Sequence, residues 1–143
     1  MSIEATETTS PPEPAGRLAA IVFDRDEEPD PPLIAFIEAA MLRGVRIAGL
    51  VQERASDDGP CALRDVWARD LVTGETLDIM RDLGRDATGC RVDPEAIALA
   101  ATMLDAACAE NPDLLVVNRF RRLESEGFGM RAEIGRALST ACR

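Results

Sequence analysis

Residues 17–52 read RLAAIVFDRDEEPDPPLIAFIEAAMLRGVRIAGLVQ, and they decide the fold class. The apolar run at 17–24 has the length and composition of a buried strand. The acidic, proline-rich linker DEEPDPP follows. Over LIAFIEAAMLRG, Leu33, Phe36, Ile37, Ala40 and Met41 recur at helical spacing, and Gly44 stands where a helix C-cap belongs. VRIAGLVQ is then a second apolar strand. Strand, helix and strand within about 35 residues make a βαβ unit, which predicts that the two strands run parallel.

The rest of the chain extends this plan. Residues 55–60, ASDDGP, read as a loop, and LRDVWARDLVTGETLDIM reads as two strands around Thr73-Gly74, a β-hairpin inserted in a mostly parallel fold. After the glycine-rich connection RDLGRDATGC, Asp93 and Pro94 open a helix as N-cap and first helical residue. Ile97, Ala100, Ala101, Leu104, Ala107 and Cys108 form its inner stripe, and Asn111-Pro112 ends it. Leu114–Val117 is a further buried strand, followed by a loop. A last helix turns Met130, Ile134, Ala137, Leu138 and Ala141 inward. The expectation is one α/β domain over residues 17–143, a small three-layer sandwich, preceded by a flexible tail at 1–16.

Composition removes many functions. All sixteen basic residues are Arg; Lys and His are absent. Without His there is no Ser–His or Cys–His catalysis and no imidazole metal ligand. Without Lys there is no P-loop lysine and no Schiff base. A net charge of −10 argues against a general nucleic-acid binder, which needs basic surface for phosphates. Membrane insertion is not expected, because no apolar run reaches about eighteen residues. The tail lacks the basic start and apolar centre of a signal peptide, so cytoplasmic residence is the expectation. Cys61, Cys90, Cys108 and Cys142 include no C-x-x-C pair, which argues against zinc. Cys108 reads as core filler on its helix, and Cys142 as a reactive thiol near the chain end.

Two places carry candidate chemistry. The loop between the first strand and first helix is where backbone amides would cradle phosphate. Here it has no glycine, and residues 24–30 hold five acids against one Arg, a composition that repels triphosphate. Asp24, Asp26, Glu27 and Asp30 are the alternative cation ligands, against a solvated acidic loop that complements the helix dipole. The second place comes after Val117, at the carboxyl end of a buried strand, where open α/β sheets bind ligands. Asn118, Arg119, Arg121 and Arg122, with Gly127 and Gly129 before the last helix, suit a small oxyanion held by guanidinium forks and backbone amides. Glu124 and Glu126 would orient or neutralise those arginines. A solvated loop with weak local ion pairs is the other reading.

DLVTGE at 70–75, TGCRVDPEAI at 88–97, and DLLVVNRF with ESEGFG across 113–129 resemble, in that order, a bacterial family of nucleoside-triphosphatase-like domains of unknown function. Domains of that family also occur with molybdenum ABC transporter ATP-binding proteins, and they are similar to the P-loop nucleoside triphosphatases of thermophiles. The resemblance implies a P-loop NTPase type of fold with a degenerate phosphate loop. Where those enzymes carry Asp-Glu after the strand to hold magnesium, this chain has Asn118-Arg119. The family also continues into a strand beyond the last helix, whereas this sequence ends at Arg143. The resemblance and its departures together imply a non-catalytic ligand-binding or accessory protein with a link to molybdenum or oxyanion metabolism. The alternative is a nucleotide-dependent phosphatase or kinase-like enzyme with Asp24, Asn118 and Glu124 around a metal. The resemblance also singles out Cys61 and Cys90 as a thiol pair, against two unlinked thiols. It leaves a homo-oligomer or an ABC transporter as the implied partner, and it names no cofactor.

Overall fold

A computed structural model describes residues 18–24, 26–54, 66–80, 92–118 and 122–140. Its helices are α1 (Asp30–Leu42), α2 (Pro94–Ala109), α3 (Arg122–Ser125) and α4 (Arg131–Thr140). Its strands are β1 (Ile47–Arg54), β2 (Val66–Asp70), β3 (Thr76–Asp78) and β4 (Leu114–Val117), in the spatial order β3-β2-β1-β4. β1 pairs parallel with β4, Ile47 opposite Leu114 and Leu50 opposite Val117. β2 runs antiparallel to both β1 and β3. The sheet is therefore mixed and not mostly parallel as expected, because the hairpin supplies two of its four strands.

Alternation along β1 divides the core between two faces. Ile47 and Val51, with Val116 of β4, pack against Ile37 of α1. Leu50 points the other way and joins Ala100, Ala101 and Leu104 of α2, with Met130 and Ile134 at the start of α4. Fully burying a Leu or Val side chain contributes about 1.5–3 kcal/mol, so these few residues hold the helical layers to the sheet. α1 lies on one face and α2 with α4 on the other, giving the three layers of the sandwich.

Local signals account for the ends of the elements. Gly44 and Val45 donate to Met41 and Ala40, at 2.9 and 3.1 Å, in a Schellman turn that closes α1. The Asp93 carboxylate caps α2 by accepting from the Glu95 amide at 3.0 Å, and Pro94 takes the first helical position, as the sequence predicts. In the hairpin turn, Asp70 Oδ1 accepts from the amides of Val72 and Thr73 at 2.7 and 2.9 Å. Across β1 and β2, Glu53 accepts from the indole of Trp67 at 3.3 Å and pairs with Arg69 at 2.5 Å.

Three expectations are corrected. Residues 18–24 belong to no strand of the sheet; Leu18 and Val22 are 71% and 65% exposed. The parallel partner of β1 is β4, not this segment. On α1, Phe36 and Met41 are exposed, and the buried stripe narrows to Ile37 flanked by Leu33 and Ala40. On α4, Leu138 is also exposed; the helix joins the core through Met130 and Ile134 at its start.

Candidate functional site at the carboxyl end of β4

Asn118 completes the last rung of the parallel pair, its amide donating to the Leu50 carbonyl at 3.2 Å. That bond fixes the side chain where β4 leaves the sheet, and only 6% of the residue is exposed. Its Nδ2 donates to Asp30 Oδ1 at 3.1 Å, joining the end of β4 to the first residue of α1 across 88 positions of sequence. The other half of the amide, Oδ1, is buried and has no hydrogen-bond partner among the described residues. A buried acceptor without a donor costs roughly 1–3 kcal/mol, so the position is set up to receive an N–H or O–H group.

The chain then reaches the corner between α3 and α4. Arg122 extends into solvent and pairs with Glu126 one turn on, at 2.7 Å. Glu124 turns inward and is 4% exposed. Its Oε1 accepts from the Met130 amide at 3.3 Å, at the amino end of α4, where the helix dipole favours a negative charge. Gly129 sits over this carboxylate with φ of +62°, and a β-carbon there would lie 2.8 Å from Glu124 Cδ. Gly127 has φ of +96°. The two glycines thus provide the backbone path on which α4 receives a carboxylate from within the chain.

The structure brings Asn118 together with Asp30, and Glu124 with Gly129 and Met130. Arg119 and Arg121 of the expected anion group lie outside the described residues, as do Cys61, Cys90 and Cys142. Asp24 and Asp26 are exposed. The Asp24 amide donates to Glu27 Oε2 at 2.9 Å, and the Glu27 amide to the Asp24 carbonyl at 3.1 Å, which makes a local turn of the acidic loop. Among the described residues no three Cys, Asp or Glu side chains converge as metal ligands. Cys108 is half-buried on α2, one turn beyond Leu104 and on the flank of the stripe formed by Ala101, Leu104 and Ala107. Sequence reasoning read Glu124 and Glu126 as partners of the arginines; Glu126 pairs with Arg122, and Glu124 accepts the Met130 amide just before α4, a contact that reading did not include. The signal was a Glu six residues before an apolar helix start, with glycines between.

No helix among the described residues is long and apolar enough to cross a membrane. A family described as proteins of unknown function, DUF2478, matches residues 18–142. The molybdenum import ATP-binding protein ModC 2 of Bradyrhizobium diazoefficiens is 33% identical over 123 residues, covering 86% of this chain and 14% of that protein. The chain thus spans about a seventh of the length of that curated relative. No solved structure matches the chain. With its match running over all three layers and through the Asn118 corner, the chain belongs to the DUF2478 family of proteins of unknown function.

Proposed function

We propose that this is a non-catalytic, ligand-binding accessory domain of P-loop NTPase type, serving molybdenum or other oxyanion metabolism. The observation that carries the reading is the orphaned Oδ1 of Asn118, buried at the carboxyl end of β4 beside Asp30. An acceptor there takes a hydroxyl or amine donor, and Arg119, Arg121 and Arg122 come immediately after it in sequence to take anionic oxygens. A protonated oxyanion, or a small hydroxylated anion, meets both demands. The name of the curated relative supports the link to molybdenum. The absence of Lys, the acidic loop before α1, and Asn118 in place of a magnesium-holding acid support the loss of nucleotide chemistry, which needs a phosphate grip and a metal together.

The test is thermal unfolding with molybdate, phosphate, sulfate and ATP–magnesium. A ligand at about 100 times its Kd adds about 2.7 kcal/mol of stability. An oxyanion shift that Arg121→Ala with Arg122→Ala abolishes, at unchanged unliganded Tm, supports the reading. No shift at millimolar oxyanion, or magnesium-dependent ATP turnover on the order of 1 s⁻¹, overturns it.

A further inference from the structure

We infer that the outer edge of β4 is the docking site of this chain's own residues 18–23, which add there as a fifth, parallel strand. The segment LAAIVF is six apolar residues long with two β-branched side chains, yet Leu18, Ile21 and Val22 are exposed. β4 presents the complementary anomaly. Among the described residues it is an edge strand, but all four of its residues are apolar, the pattern of a strand buried on both faces. Edge strands are ordinarily protected by charge, proline or a bulge, and Leu114–Val117 has none of these.

Hydrogen-bond parity shows which amides of β4 face outward. The amides of Leu114 and Asn118 donate inward, to the carbonyls of Arg46 and Leu50. Alternation in a parallel ladder then turns the amides of Leu115 and Val117 outward, away from β1.

The connection decides both the occupant and its direction. The Asp30–Asn118 hydrogen bond holds the start of α1 at the carboxyl end of β4. Residues 18–24 lead into that point through six further residues, a reach of up to about 20 Å, while a neighbouring strand is only about 5 Å away. A strand that ends there runs in the direction of β4.

Handedness picks the same edge. The chain passes from β1 to β4 with α2 on one face, and from residues 18–23 to β1 with α1 on the opposite face. Two crossovers on opposite faces have the same hand only when they travel in opposite directions, which requires the segment to lie beyond β4. About 98% of parallel crossovers share one hand. Strand docking at this edge is independent of any oxyanion at Asn118.

Hydrogen exchange resolved to single amides tests it on the full chain, at several protein concentrations. In the docked state the Leu115 and Val117 amides exchange at least 100-fold more slowly than free peptide, as do alternate amides of residues 18–23. Ile21→Asp should return both sets to near-free exchange while Leu114, Val116 and Asn118 stay protected. Ala20→Pro, which deletes no apolar volume, serves as the second variant should Ile21→Asp unfold the chain. Fast exchange of Leu115 and Val117 in the unmodified protein, or protection unchanged by both variants, overturns the inference. Protection that disappears on dilution, together with a dimer in sedimentation, also overturns it, since the strand would then come from a second copy.

Discussion

The carboxylate of Glu124 lies directly beneath Gly129, in the space that a side chain on residue 129 would fill, and accepts the amide of Met130. An acid of the chain therefore holds the amino end of α4, and a glycine makes room for it. Gly129→Ala is expected to destabilise twice over. The left-handed backbone costs an alanine about 1–2 kcal/mol, and the new methyl displaces the carboxylate. Glu124→Ala leaves the Met130 amide without its acceptor, at about 1–3 kcal/mol. Because both act on one contact, the double variant should lose less than the two single losses added together, measured by urea unfolding. Strict additivity would show that the two residues act separately.

A second prediction concerns Gly49, in the middle of β1. Its φ is +116°, and a β-carbon would collide with the backbone of Val116 across the parallel ladder. The collision is with main chain, so no rotamer relieves it. Gly49→Ala should therefore separate β4 from β1 and cost more than about 3 kcal/mol, among the largest losses for a single methyl group. A variant with unchanged Tm would mean that this rung does not form.

The hairpin turn gives a third prediction. Asp70 is buried, and its Oδ1 takes two amides of the turn. Asp70→Ala should cost about 1–3 kcal/mol, and Asp70→Asn, which keeps the acceptor oxygen, should recover most of it. Equal losses in the two variants would assign the effect to charge.

A fourth prediction comes from the start of the parallel pair. Arg46, just before β1, donates through its guanidinium to Asp113, just before β4, at 2.9 Å, and its amide donates to the same carboxylate. The side-chain bond from Arg46, and after it the bond from the Arg46 backbone amide, hold the Asp113 carboxyl below its ordinary 3.8. A depressed carboxylate stabilises the fold above its unfolded value, and the contribution disappears as pH falls through the folded one. The stability difference between the unmodified protein and Asp113→Asn should thus be present at pH 6 and shrink below about pH 3.8. Both groups are exposed, so the effect is small and falls with added salt. A difference that grew towards low pH would reverse the assignment.

Where local chemistry determines structure, the sequence was legible. Asp93-Pro94 marked the start of α2, Gly44 the end of α1 and Thr73-Gly74 the turn of the hairpin, since each acts through its own backbone neighbourhood. Asn118 was legible as the end of a buried strand. Its bond to Asp30 was not, because the two residues are 88 positions apart and meet only through the packing of α1 on the sheet. Residues 18–24 show the same limit in reverse. An apolar run announces a wish to be buried without saying which edge, if any, receives it. Glu124 was read from its arginine neighbours; its bond to the Met130 amide was not legible, because it depends on the left-handed backbone at Gly127 and Gly129.

Trp67 is the sole tryptophan, and the chain has no tyrosine. Its indole is tied to Glu53 across the junction of β1 and β2. Ultraviolet emission from this protein therefore reports on one seam, the attachment of the hairpin to the parallel pair, and is blind to the helices. Circular dichroism at 222 nm reads mainly the helices. Recording both signals through one denaturation separates two-state melting from loss of the hairpin alone: coincident curves mean that the seam and the helical layers break together, and an earlier emission change means that the hairpin opens first.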